Sequence, residues 1–500
     1  MKTSNSWIDY TNTTNPPGFI THPYCPYDYC IPITSKSEVL INFNNGSEGT
    51  NAQCNYNRAG TLCGACRDKF SLSLGSSQCL QCPSYWPVLT IVMLLSILIG
   101  GLLLVALLFV LNITVAVGTI NGLIFYANMI AANKTIYFTK VSFPSVFISW
   151  FNLELGIDMC FIDGMDTHGK AWVELILPTY IIIIVVAIVI LSKYSQKFSN
   201  LIGKRNPVAT LATLILLSYA KFLQTIIVAF TATGLNYPDG SYKLLWLPDA
   251  TLEYFVGSRI PLFITAICIL VIGLAYTLIL FSWQWITRYI KLKVVRNPKL
   301  RSFMETYTAP YNDKHRYWTG LLLLARVLLY LVSASNVQDD PIIPLVATAE
   351  IAGALLLVKG VLGGRVYRQW PIDIVETTLY FNLLFLSVIV SRNIERNEDR
   401  DIIVYLSIVF IFLVLLGVVM YHSYVYVIRE FIKKRKPDSG SNVTEKSRES
   451  FNQPSRSDDD RFHDVVYILD SPSTSDYRSN QPSSEMQAMA PTSSTVDAPR

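Results

Sequence analysis

The sequence predicts an all-α, polytopic membrane protein: a bundle of about nine transmembrane helices, with a small disulfide-rich extracellular module before it and a disordered cytoplasmic tail after it. Three observations point there. Runs apolar and long enough to cross a bilayer recur along the chain, a cysteine-dense polar segment stands directly before the first of them, and Lys and Arg gather in alternate connections. Composition agrees, since 51% of the residues are hydrophobic and only 15% are charged, a charge-poor mixture for a soluble chain of 500 residues. The net charge of +5 averages over opposed regions, and no basic patch with interleaved aromatics suggests nucleic acid.

Residues 1–53 form a polar segment rich in Asn, Thr, Ser, Pro and Tyr, with no run that could span a membrane. Its start, MKTSNSWIDY, lacks the basic, apolar and small-residue succession of a secretory signal. Export then rests on the first transmembrane helix, or the native N-terminus lies further upstream; the second reading is preferred.

Residues 54–86 hold Cys54, Cys63, Cys66, Cys79 and Cys82 in the spacing C-x8-C-x2-C-x12-C-x2-C. Two CxxC pairs can hold zinc through four thiolates or form an EGF-like or laminin-like disulfide knot. Compartment decides between them. Asn12 and Asn45 sit in glycosylation sequons of the same region, and an outward location oxidises thiols, which favours disulfides. Cys25 and Cys30 upstream and Cys160 in a later external loop raise the candidates to eight, an even number, with connectivity open. Asn133 is a further external sequon, and Cys268, inside a span, reads as a buried apolar filler.

The bundle occupies residues 87–427, with spans expected at 88–111, 112–131, 172–192, 208–230, 260–283, 318–335, 342–362, 372–390 and 402–427. The second is the weakest by hydropathy, because it contains Asn112, Asn121 and Asn128, yet parity requires it. An alternative crossing at 136–155 would preserve the same parity. With either, the connections bearing Lys193 to Arg205, Arg288 to Arg316, Arg365 and Arg368, and the run Arg429 to Lys436 all share the cytoplasmic side. The opposite connections carry Glu154, Asp158, Asp163 and Asp166, then Asp239, Asp249 and Glu253, then Asp339 and Asp340. Residues 428–500 are rich in Ser, Asp, Pro and Gln and cannot bury enough apolar surface to offset their ordering entropy, so they read as a disordered tail.

Ionisable groups lie deep in the spans at Lys221, Arg326 and Glu350, and Glu376 lies near the cytoplasmic start of the eighth. An unpaired charge at such depth costs at least about 2.5 kcal/mol, so each is expected to face the bundle interior and find a partner. Equal depth from the outer face suggests a Lys221–Glu350 contact and an Arg326–Glu376 contact, and Lys359 reads as an interface anchor. Interhelical ties are the plainer reading, and an ion or proton pathway is the functional one.

Histidines are scattered, and no Walker loop, nucleophile elbow, HExxH or dinucleotide turn occurs, so neither an enzyme nor a cofactor nor a metal site is expected. The loop cluster Asp158, Asp163, Asp166 and His168 reads as a solvated loop rather than a cation site.

At NRAGTLCGACRDKFSLSLGSSQC, TVAVGTINGLIFYANMIAANK, WFNLELGIDMCFIDGMD, NPVATLATLILLSYAKFLQTII and YNDKHRYWTGLLLLARVLLYLV the chain resembles the C-terminal portion of a family of large, uncharacterised invertebrate cell-surface proteins. That resemblance spans residues 54–436 or so and implies a Cys-rich juxtamembrane stretch, a multi-pass bundle and a polar tail. It implies no activity and no functional residue. The functional expectation is a receptor-like or adhesion-like plasma-membrane protein, with the bilayer, an extracellular ligand and a tail-binding protein as partners. An ion channel or transporter using the intramembrane charges is the alternative.

Overall fold

The computed structural model describes residues 7–11, 18–22, 29–30, 51, 53–55, 57–111, 115, 118–138, 143–154, 156, 158–195, 207–237, 240–289, 298–335, 342–361, 365–392 and 402–407, with isolated positions on to 420. The chain divides into two compact units, Met1–Arg429 and Glu430–Arg500, and the second lies outside the described residues.

Helices dominate the first unit because its apolar runs are rich in Leu, Ile, Val and Ala, and a buried backbone must bond to itself. They are α1 (Trp86–Leu111), α2 (Thr119–Ala132), the short α3 (Lys134–Tyr137) and α4 (Phe143–Phe151), α5 (Thr167–Tyr194), α6 (Pro207–Phe230), α7 (Ile260–Tyr289), α8 (Pro298–Thr308), α9 (Trp318–Ser335), α10 (Ile342–Val361) and α11 (Trp370–Arg392). Among the described residues, seven helices are long and apolar enough to cross a membrane: α1, α5, α6, α7, α9, α10 and α11.

The expected second span is a shorter element. Gly118, at φ +84°, turns the chain in a left-handed conformation that keeps the helix from starting earlier, and α2 then runs for only 14 residues, about 21 Å at 1.5 Å per residue. It still travels between the two faces of the bundle. Gly118 packs against Pro310 and Tyr367, whereas Lys134 just beyond the helix lies 3.9 Å from Glu154 on the other face. Of the expected ninth span, residues 402–407 are helical and most of the remainder lies outside the described residues.

Two apolar cores fill the bundle. One joins α2, α9, α10 and α11, and the other joins α1, α5, α6, α7, α8 and α9. The two meet at α2 and α9; α6 and α9 are the most buried of the membrane-length helices, while α1, α5 and α7 line the periphery. Their outward Leu, Ile and Val side chains are what a lipid-facing helix presents.

Short strands gather at one face. β1 (Trp7–Thr11) pairs with β2 (Gly18–His22), β3 (Arg58–Ala59) with β4 (Ala65–Cys66), and β5 (Phe70–Leu72) with β6 (Cys79–Gln81), all antiparallel. Between α6 and α7 a three-stranded antiparallel sheet forms from β7 (Ala232–Asn236), β8 (Tyr242–Trp246) and β9 (Asp249–Glu253). Trp246, 1% exposed, donates its indole N–H to the Val228 carbonyl at 3.0 Å, which fixes this sheet to the end of α6. The basic connections around Lys314, Arg316, Arg365 and Arg368 meet at the opposite face, where Asn312 N bonds Val366 O at 2.9 Å.

Candidate functional site

The cysteine module is fastened to the bundle rather than carried on a stalk. Cys54 pairs with Cys63, Cys66 with Cys79, and Cys82 with Cys160 in the loop before α5; Cys30 is also disulfide-bonded, and Cys25 lies outside the described residues. With both CxxC motifs engaged in disulfides, this arrangement is that of the knot and not of the four-thiolate zinc alternative.

The module has a small apolar core, in which Tyr29, Leu62 and its half-cystines pack on Leu235, Leu245 and Ala250 of the β7–β9 sheet, and a polar hub adds to it. Arg58, 1% exposed, donates to the carbonyls of Cys63, Gly64 and Ser77 at 2.7 to 3.2 Å and stacks 3.4 Å from the Tyr29 ring centre. Burial lowers the pKa of its guanidinium and raises that of the Tyr29 hydroxyl, each partly offset by the other. Neither role has a sequence signature.

Beyond the disulfide, Leu72 N bonds Met165 O at 2.9 Å, Ser71 Oγ donates to Asp163 at 3.2 Å, and Ser73 Oγ to Asp158 at 3.4 Å. Lys170 on α5 donates to the carbonyls of Ser73 and Ser76 at 3.1 and 2.5 Å. Asp166 caps α5 by accepting from Gly169 N at 2.7 Å. The aspartates of this loop thus tie module and helix together instead of standing solvated.

Beneath the module lies a cavity of about 410 Å³. Leu74 of the module, Met93, Ile97 and Leu98 of α1, Leu153 and Ile162 of the loop, and Val173, Leu177 and Tyr180 of α5 make it apolar. Its polar end is the buried Lys221, whose Nζ lies 3.0 Å from Glu154 Oε1 and 3.0 Å from Glu174 Oε2. Asn152 Nδ2 adds a bond to Glu154 at 2.9 Å. Burial raises the Glu154 pKa, but the fields of Lys221 and Lys134 with the hydrogen bonds of Lys221 and Asn152 outweigh it and hold the carboxyl below its ordinary range. Such a cleft can take an apolar body and offer an ion-paired cluster to a polar end.

This cluster corrects the expected Lys221–Glu350 pair. Glu350 is exposed on α10, on the outward stripe with Ile343, Val346 and Leu357, so it faces away from α6. Glu376 likewise does not pair with Arg326. It is bound by Lys359 at 3.0 Å, Tyr367 OH at 2.8 Å and Trp318 Nε1 at 3.2 Å. Lys359, which also lies 3.1 Å from Asp373, is therefore a buried ion-pair partner and not an interface anchor. Arg326 is 1% exposed, and none of its three nitrogens hydrogen-bonds to the protein.

Two further expectations fail. Cys268 is exposed on the outer surface of α7 rather than buried. Asn133 is 2% exposed, donates to Thr348 Oγ1 at 2.9 Å and accepts from Ser333, so its side chain is committed to packing and unsuited to carry a glycan. Asn12 and Asn45 lie outside the described residues. The sequence left Glu154 and Glu174 out of the charge set because one is in a loop and the other at a helix entry; the lone Lys in the most apolar stretch of α6 was the signal to look for them.

No family model, curated protein or solved structure matches the chain. Fold and site by themselves define a class: a helical multi-pass membrane protein that carries a disulfide-rich module on one face of its bundle.

Proposed function

We propose that the chain is a receptor-like or adhesion-like protein of the plasma membrane and not an enzyme, with its disulfide module outside and its tail in the cytoplasm. The oxidised cysteines, the sequons Asn12 and Asn45, and the basic connections on the opposite face support that orientation.

One observation carries the signalling half of the reading: a single cleft is walled jointly by the module, α1, the Cys160 loop and α5, and it ends on Lys221 of the most buried membrane-length helix. Displacement of the module by an extracellular ligand would move Glu154 and Glu174 against Lys221, and through α6 the rest of the bundle. A tail-binding protein would read the result.

The test uses the full chain in cells, tagged near Gln53 and fused at the tail to a proximity-labelling enzyme. Clustering through the outer tag is expected to change the tail's labelled neighbours in the wild type and to leave them unchanged when Cys82 and Cys160 are both Ser. An unchanged wild type at normal surface level, or a tag reached only after permeabilisation, defeats the reading. Channel or transporter activity is a second reading that the unpaired Arg326 favours; an ion flux in liposomes lost in Arg326→Gln would support it over the first.

A further inference from the structure

We propose that Arg326 is the centre of a binding site for a small monovalent anion of the halide class, inside the bundle where the two cores meet. The proposal is independent of the receptor reading. It starts from a charge with nothing to cancel it. The guanidinium is 1% exposed, and Nε, Nη1 and Nη2 are all without a protein hydrogen bond. Its central carbon lies 5.4 Å from the Phe125 ring centre, and Tyr219, Tyr330, Tyr380 and Tyr311 are within electrostatic reach.

Other buried polar groups are unpartnered too, among them both amide atoms of Asn128 and the Tyr330 hydroxyl. Tyr330 is one turn beyond Arg326 on α9, and Asn128 is one turn beyond Phe125, the ring beside the guanidinium, on α2. Helices α2 and α9 run in the same direction, tied at one end by Asn121 and Thr319, which both donate to Tyr311 OH, and at the other by Ser333 and Asn133. Native interiors leave very few buried polar groups unpaired, so a buried guanidinium without a bond, with the unpaired Tyr330 hydroxyl a turn away and the unpaired Asn128 a turn from its Phe125 neighbour, marks a place built for a guest.

The chemistry of the guest follows from charge. The carboxylates that could neutralise Arg326 are committed elsewhere, Glu154 and Glu174 to Lys221, and Glu376 and Asp373 to Lys359. With no carboxylate in contact, the guanidinium brings a directly unpaired positive charge and five N–H donors, and the Asn128 amide and the Tyr330 hydroxyl bring further donors. A cation is repelled, and a multiply charged anion would bring excess charge into a low-dielectric interior. A monovalent anion balances the charge, and water by itself does not.

The experiment is thermal unfolding of the purified full chain in detergent, with chloride titrated against gluconate at constant ionic strength. The midpoint is expected to rise saturably with chloride in the wild type and to lose that response in Arg326→Gln. Should that variant fail to fold, Tyr330→Phe and Asn128→Ala each remove one donor and are expected to raise half-saturating chloride roughly tenfold. A wild-type midpoint indifferent to the anion, or a response unchanged in these variants, overturns the site.

Discussion

The Lys221 ammonium lies 3.0 Å from Glu154 Oε1, which couples the most buried membrane-length helix to the loop that is disulfide-bonded to the cysteine module. Because Glu174 of α5 holds the same ammonium at 3.0 Å, the contact ties a central helix, a peripheral helix and the module into one mechanical unit.

Breaking this cluster from its cationic side is expected to be severe. Lys221→Met leaves two carboxylates without their buried partner, and losing one member of a buried pair costs roughly 3–5 kcal/mol. The thermal midpoint in detergent should fall steeply for Lys221→Met and recover in good part when Glu154→Gln and Glu174→Gln are added. A triple variant no better than the single would show that the ion pairs are not what the substitution disrupts.

Stability should also depend on acidity through Glu154. Burial raises this carboxyl and the fields of Lys221 and Lys134 more than reverse the effect, so it is more acidic folded than unfolded. Such a group contributes its full stabilisation above the ordinary carboxylate range, and the contribution drains away as pH falls through the lowered folded value. Asp249 acts with the opposite sign: burial raises its pKa despite bonds from Thr251, so acidification relieves a penalty. Comparing wild type with Glu154→Gln isolates the first effect, and the wild type is expected to lose more stability than the variant on acidification.

Thiol chemistry reads both the module's attachment and the outward face of α7. Of the described cysteines, Cys268 is the free thiol, and it lies on the bundle exterior. In membranes it should react with a permeant maleimide and resist a hydrophilic one. Cys82→Ser should expose Cys160 to labelling and lower stability by about 2–4 kcal/mol. Labelling of Cys160 in the unreduced wild type would contradict the pairing.

Helix packing makes its sharpest demand at Gly320. A Cβ there would overlap the Phe281 backbone, where α9 crosses α7, whereas one at Gly353 on α10 would meet nothing within 4 Å. Gly320→Ala should therefore cost about 1–3 kcal/mol by forcing the helices apart. Gly353→Ala, which only improves helix propensity, should be neutral or stabilising by up to about 1 kcal/mol. Equal midpoints for the two variants would refute this packing.

How far the sequence went can be followed at α2. Parity and charge sidedness demanded a crossing between the first span and the one that starts near Trp172, and α2 does run between the faces, but only from Thr119 to Ala132. Hydropathy placed its start seven residues too early because it cannot register a left-handed turn at Gly118. Asn121, one of the residues that weakened it as a span, bonds it to Tyr311, and Asn133 just past its end bonds to Thr348.

Apolar run length and the distribution of Lys and Arg determined that this chain builds a membrane bundle, because the cost of burying backbone and charge in hydrocarbon depends on sequence alone. Pairing among the charges was decided only in three dimensions. Depth along a helix follows from counting residues, so Lys221 and Glu350 could be matched by level; the direction in which each points depends on how neighbouring helices rotate and pack. That rotation turned Glu350 outward, gave Lys221 a loop carboxylate and a helix-entry carboxylate, and left Arg326 with no protein counterion.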